Sequence, residues 1–322
     1  MFDDQWILVD TETTGLAKPI GVVELAAQRM EGWDASGPHF RMLLNQNNHI
    51  SPEASRVHGY TREILERDGE QPEQVYADFR DYADGKPIIS YNLAYDMDRV
   101  LLPEFERFSI EPFGLGGFCA LKLAQRLLDP VPAGNCKLQT LRQFYRLPER
   151  GAHTGLGDVE TVVDLMQNVL RPIAEERNIQ SFDDIKSYTE QRWFPSRLAF
   201  GKYKGRDFRD AVHDGELRSW LEWLSNSSNN KSATMGSWYL AELARTEEET
   251  QETSLIVVET EVAESVDQKN SSQGVSIYRD PGLDDIIIKI GYARERLAAE
   301  LQTQVEELGV QITELTDAPP SF

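Results

Sequence analysis

A mixed α/β fold, a sheet flanked by helices with a small α-rich module and a further extension behind it, is what this 322-residue sequence predicts. Three observations lead there. In the first 170 residues, short apolar runs bounded by turn residues come first and amphipathic helical stretches follow, the pattern of a sheet covered by helices. The block 181–245 changes character, holding Trp193, Trp220, Trp223 and Trp238 and the chain's only net-positive stretch. From Thr246 the chain turns acidic and polar, as in Glu247-Glu248-Glu249.

The elements follow in order. Trp6 to Asp10, Val22 to Met30 and Phe40 to Asn45 read as three strands, with the first turn at Thr14-Gly15. Glu73 to Tyr82 has helical spacing through Val75, Phe79 and Tyr82, and Pro87 to Tyr91 is a short apolar strand, so the opening order is β-β-β-α-β. Helices are expected over Asp96 to Phe105, Ala120 to Leu128, Leu138 to Tyr145 and Val159 to Leu170; the last carries Val159, Val162, Val163, Met166 and Leu170 as one stripe. The expected divisions are 1–178, a first domain; 179–245, a basic and aromatic accessory module; 246–282, an acidic linker; and 283–318, a helical segment. Ser254 to Val258 would make one strand of the tail. Leu301, Val305, Leu308, Ile312 and Leu315 would form a narrow seam, either for a protein partner or second copy docking through 246–322 or for packing on its own domain.

Composition narrows the function classes. A chain 40% hydrophobic, 27% charged and 9% aromatic can build a core, which excludes global disorder and collagen-, mucin- or disulfide-type scaffolds. The net charge of -21 repels nucleic acid and anionic membrane alike, so any polyanion must be met by a local patch. Basic residues outnumber acidic ones only over 186–245, by 10 to 7. Cys119 and Cys136 lack metal-ligand spacing and fit a reducing compartment. The start MFDDQWILVD is acidic where a secretory signal is basic, and no apolar run approaches a membrane span; a cytoplasmic protein with no membrane partner is expected.

The chemistry sits in acids at strand ends. In Ile7-Leu8-Val9-Asp10-Thr11-Glu12 the strand is apolar until two carboxylates appear at i and i+2, which the β period of two places on one face. Like charges side by side are costly unless a cation neutralises them, so a divalent metal is the economical explanation; a solvated strand end is the other reading. Asp96 follows the apolar strand ending at Asn92, at a helix start where an acid also suits the dipole. Asp158 follows the loop His153-Thr154-Gly155-Leu156-Gly157 at another helix start.

Together these segments resemble the DEDDh (DnaQ-like) 3'-to-5' exonucleases, a family that includes the proofreading subunit of bacterial DNA polymerase, exonuclease X and ribonuclease T. The resemblance covers roughly residues 5 to 170. It rests on Asp10-Thr11-Glu12-Thr13-Thr14-Gly15, on Asn92 to Asp96, and on His153 to Asp158 with four residues between. Ser51-Pro52-Glu53-Ala54, Val57-His58-Gly59-Tyr60-Thr61 and Lys137-Leu138 to Leu141 also look like the family. The resemblance implies a ribonuclease H-like fold with a five-stranded mixed sheet. It implies two Mg2+ ions, with Mn2+ as substitute, held by Asp10, Glu12, Asp96 and Asp158, and His153 as general base. It also implies that Thr13, Thr14, Gly15, Glu53, His58 and Asn92 meet the substrate.

The implied function is release of nucleoside 5'-monophosphates from single-stranded or frayed 3' ends of DNA. Trimming of RNA 3' ends is an alternative, and a nuclease-fold subunit that mainly docks a replication, repair or adaptation complex is another. In the accessory module, Lys202, Tyr203, Lys204 and Arg206 combine cations with a ring, as a single-strand surface does, although aromatic residues at helical spacing also build small cores.

Overall fold

A computed structural model describes residues 4–247. β1 (Gln5–Thr13) lies between β2 (Val22–Glu31) and β4 (Ile88–Ser90), and β3 (Asp34–Leu43) pairs outside β2, giving the order β3-β2-β1-β4. β1 is antiparallel to β2 and parallel to β4, and β2 is antiparallel to β3, so the sheet is mixed. Along β1, Trp6 and Leu8 enter one apolar core with Ala26, Phe118 and Leu123, while Ile7 and Val9 enter the other with Leu25, Phe79 and Val100. Burial on both faces is why this strand is apolar without interruption until Asp10.

Two expectations about the sheet need correction. β3 begins at Asp34, not Phe40, because Gly32-Trp33 closes a two-residue hairpin with Glu31 opposite Asp34. Gly37 and Pro38 resemble a turn in the sequence, but on an edge strand the missing proline N–H costs no ladder bond. The sheet described has four strands, not five. Beyond β4 the segment 114–119 runs alongside, with Ile88 N–H donating to the Gly114 carbonyl at 2.7 Å and Ser90 bridging Cys119. Left-handed φ angles at Gly114 (+69°) and Gly116 (+88°) break the extended conformation a fifth ladder would need.

Helices cover both faces. In order they are α1 (Pro52–His58), α2 (Arg62–Asp68), α3 (Pro72–Ala83), α4 (Leu102–Arg107), α5 (Ala120–Leu127) and α6 (Leu138–Phe144). Then come α7 (Gly155–Leu165), α8 (Arg171–Glu176), α9 (Phe182–Glu190) and α10 (Gly215–Ser225), and residues 230–247 are helical. Wide π-type turns lead into α4 (Ala94–Leu101) and α8 (Met166–Leu170). Each precedes a proline, Pro103 or Pro172, that lacks the N–H a regular turn would use.

α7 lies across β1 and β2 and sends Val159 and Val162 into the first core. It starts four residues ahead of its apolar stripe because Thr154 caps it, its Oγ1 accepting the Gly157 N–H at 3.1 Å.

Ile179 and Ile185 belong to the first core, whereas Leu198, Tyr203, Phe208, Leu217, Leu221, Tyr239 and Leu243 form a cluster of their own. No helix among the described residues is long and apolar enough to cross a membrane. The strand expected at 254–258, the helical seam within 283–318 and the acidic stretch from 248 to 282 lie outside the described residues.

Candidate metal and active site

Strand parity sorts the acids. Asp10 and Glu12 continue the even-numbered face of β1, which carries Trp6 and Leu8 and is covered by α7. Asp158, in the first turn of α7, meets them there: carboxylate oxygens of Asp10, Glu12 and Asp158 all lie within 4.8 Å of one another. Asp96 arrives from the other side. The odd-numbered Thr11 donates its hydroxyl to Asp96 Oδ1 at 2.7 Å, and Ser90, the last residue of β4, donates to Oδ2 at 2.8 Å. Three acids of the expected four thus share one cluster, and the fourth is buried beside it with both oxygens already bonded to hydroxyls.

The electrostatics fit a divalent cation. Burial, and then the charges of Asp96, Glu12, Asp158 and Glu24, hold the Asp10 carboxyl well above the ordinary carboxylate range. Burial, then Asp158, Glu24 and Asp96, push Glu12 up to about 8. Burial raises Asp96 to about 6 against the pull of the Thr11 and Ser90 hydroxyls. Burial also raises Asp158, against the opposing effect of His153 and the Gln139 amide. Hard oxygen donors that repel one another in a partly dry site are what a magnesium- or manganese-type ion satisfies.

The neighbouring groups hold these acids in place. Gln139, in the first turn of α6, donates its amide to Asp158 Oδ1 at 2.8 Å. Glu24, paired with Glu12 across the β1–β2 ladder, is fully buried. It accepts from Arg41 Nε (2.6 Å), the Tyr60 hydroxyl (2.8 Å) and the Gly155 N–H (2.9 Å), so one carboxylate joins β2, β3, the segment after α1 and the start of α7. The sequence reading passed over Glu24, although a carboxylate inside Val22-Val23-Glu24-Leu25-Ala26-Ala27 was a signal.

His153 is exposed, with a left-handed φ of +65°. Its turn is braced by Glu149, which accepts the Gly151 and Ala152 N–H groups at 3.1 Å. Gly157 lets the turn close on α7, since a Cβ there would stand 2.2 Å from the Gly151 carbonyl. Strain of this kind in a non-glycine residue clusters at functional sites.

The residues expected to meet substrate divide. The Thr13 hydroxyl lies 3.1 Å from the Tyr95 hydroxyl, and Thr14 Oγ1 accepts the Gly21 N–H at 3.0 Å, with Gly15 next in the same turn against Ser51. Asn92 is exposed, and its carbonyl accepts the N–H groups of Tyr95 and Asp96. Glu53 is exposed and paired with Arg56 at 3.1 Å.

His58 is buried, with both ring nitrogens engaged. Nδ1 accepts the Tyr60 N–H at 3.0 Å, which leaves Nε2–H to donate to the Thr13 carbonyl at 3.1 Å. It therefore steadies the first motif from behind. In the accessory module, Tyr203 is only 9% exposed and belongs to the local core, so its ring offers no face to a base. Arg206 is bonded to Asp214 (2.8 Å) and Asp210 (3.2 Å), Lys202 lies 3.9 Å from Glu216, and Lys204 is exposed.

A mixed sheet whose central strand ends in a half-buried carboxylate pair, met by an acid from a helix laid across it, is an arrangement that can hold a divalent cation. Residues 7–166 match the family model described as Exonuclease (RNase_T), and the chain belongs to that DEDDh, DnaQ-like 3'-to-5' exonuclease family. The chain is 32% identical over 98 residues to the DNA polymerase III epsilon subunit of Escherichia coli, across 28% of this chain and 40% of that protein. Among solved structures it is similar to exonuclease X in complex with 5' overhanging duplex DNA, at 23% identity and a TM-score of 0.44 over 57% of this chain and 99% of that one. It is also similar to E. coli exonuclease I in complex with a dT13 oligonucleotide, at 17% identity and a TM-score of 0.48 over 54% and 43%. The chain spans less than two thirds of the length of the curated relatives it matches, 29% in one case and 63% in another.

Proposed function

We propose that this chain is a 3'-to-5' exonuclease that releases nucleoside 5'-monophosphates from DNA 3' ends by hydrolysis with two Mg2+ ions. The observation that carries the reading is the meeting of Asp10, Glu12 and Asp158 within 4.8 Å, from a strand end and a helix start almost 150 residues apart. Those three would hold the metal, with Asp96 beside them. When bound, the ions would supply charge neutralisation at the phosphate, activation of the attacking water and stabilisation of the leaving 3'-oxygen.

The chain's own residues do the rest. His153 accepts the proton of the attacking water, from an exposed turn five residues ahead of Asp158. Gln139 fixes the Asp158 carboxylate, Thr11 and Ser90 fix Asp96, and His58 holds the Thr13 carbonyl so that the Thr13–Gly15 turn faces the terminal nucleotide.

A 3'-end degradation assay on 5'-labelled single-stranded DNA, duplex DNA and RNA, with Mg2+ and with chelator, tests the reading. Metal-dependent shortening of the DNA strand from its 3' end is expected. Preferential loss of the RNA strand would reassign the substrate to RNA, and no shortening of any strand would refute the activity.

A further inference from the structure

A cavity of about 370 Å³ lies where the last turn of α5, α9, residues 192–196 and the helix over 230–247 come together. It is separate from the acid cluster. Cys119, just ahead of α5, bridges Ser90, whose hydroxyl holds Asp96; Arg126, which lines the cavity, sits ~10 Å further along the same helix axis.

Its charge is the inverse of the catalytic site. Among the described residues, five arginines line it against two carboxylates, Asp129 and Glu242. Glu242 pairs with Arg245, and Asp129 accepts the Ser196 N–H at 2.9 Å and faces Arg209, which is itself bridged to Asp207. Arg126, Arg177 and Arg192 have no carboxylate partner among the described residues.

Arg126 decides the matter, because its guanidinium is buried, with the residue only 8% exposed. It is bonded to the carbonyl oxygens of Tyr188 and Gln191. Those carbonyls take two of its five N–H donors and leave the charge uncompensated, and a buried charge without a counter-ion is expensive. Arg177 directs three donors to the Tyr188 hydroxyl (2.9 Å) and the Arg126 and Leu127 carbonyls and keeps its remaining N–H groups for a further acceptor. The Ser196 hydroxyl, on the same wall, is buried without a partner. Tyr188, Trp193 and Trp238 supply flat apolar surface, with the Arg126 guanidinium 5.7 and 5.8 Å from the Tyr188 and Trp193 rings. The volume falls in the range of small-ligand sites, roughly 300–1,000 Å³.

We infer that this cavity binds a nucleotide outside the catalytic centre, its phosphate on Arg126, Arg177 and Arg192 and its base against the aromatic wall. The nucleotide is either a free monophosphate or one within a strand. Guanidinium groups grip phosphate with paired N–H donors, and rings stack on any base, so the site selects the class and not the sequence. The inference goes beyond the hydrolytic reading and does not need it.

Calorimetric titration of the full chain in chelator, with thymidine 5'-monophosphate, inorganic phosphate and a single-stranded oligonucleotide, tests the site. Arg192→Glu is the principal variant, since the Arg192 guanidinium makes no hydrogen bond or ion pair among the described residues. It should weaken binding about tenfold or more, Arg177→Gln comparably, and Ser196→Ala severalfold without lowering Tm. Asp158→Ala should leave this binding unchanged. Weakened monophosphate binding identifies the free nucleotide as ligand, and weakened oligonucleotide binding alone identifies the strand. Phosphate bound as tightly as the monophosphate would overturn stacking of the base. Absence of binding by the native chain, indifference to Arg192→Glu in a folded variant, or equal loss in Asp158→Ala would overturn the site.

Discussion

Asp10, Glu12 and Asp158 face one another across the end of β1, and among the described residues no arginine or lysine is bonded to any of them. In the accessory module, Arg206 is met by Asp210 and Asp214, Arg209 by Asp207, and Lys202 by Glu216. Both regions are conspicuous charge clusters in the sequence, yet only the first keeps its charge unbalanced once folded. A charged cluster is poised to act when the fold separates it from opposite charge, because the missing counter-charge must then come from a ligand. Exposed pairs such as Arg206–Asp210 contribute little to stability and leave little field for a polyanion.

Single substitutions put that contrast to the test. The largest effect belongs to Asp10→Ala and Asp158→Ala, each expected to reduce cleavage below detection in the end-degradation assay; full activity in either would refute the metal centre. His153→Ala should lower kcat by ~10² to 10⁴ while calorimetry still shows Mn2+ binding, which separates proton transfer from metal holding.

The burial and mutual repulsion of these acids are measurable as stability. Glu12 is held at about 8, above its ordinary 4.5, so the folded chain binds that proton more tightly than the unfolded one. This contribution is fully present below pH 4.5 and is lost as pH rises through 8. In chelator, the unfolding free energy should fall across that window by on the order of 3 kcal/mol after allowance for screening, Tm should fall with it, and Glu12→Gln should flatten the slope. Added Mg2+ should restore more Tm at pH 8 than at pH 6.

Glu24→Ala should cost about 2 to 3 kcal/mol in denaturant unfolding, because it strands the Gly155 N–H and the Tyr60 hydroxyl. The smallest change is expected from the double substitution Lys202→Gln and Lys204→Gln, with oligonucleotide affinity altered less than about twofold and the salt slope by less than one unit. A larger drop would return the basic turn to the role its composition suggests.

Much of this was legible locally. The run Ile7 to Glu12 announces both a buried strand and its acidic end, since alternation puts Asp10 and Glu12 on one face whatever surrounds them. The Val159–Val162 stripe places Asp158 at the start of a helix with a defined inward face, although the helix itself begins earlier, at Gly155. His58 and Tyr203 are different. The resemblance implies a substrate contact for His58 and a tyrosine between lysines suggests a stacking ring, and nothing in their immediate neighbours says that one will donate to Thr13 and the other will sit in a core.

Sequence alone determined the strand-and-helix rhythm and the acids at element ends, because both depend on periodicities of a few residues. Tertiary structure alone decided that Asp96 is bonded from behind by Thr11 and Ser90, that Glu24 ties four segments together, and that Arg206 is neutralised while Arg126 is not. Those outcomes depend on which charges and donors become neighbours after burial, where the cost of an unpaired group is several-fold higher than in water and where sequence distance no longer measures proximity.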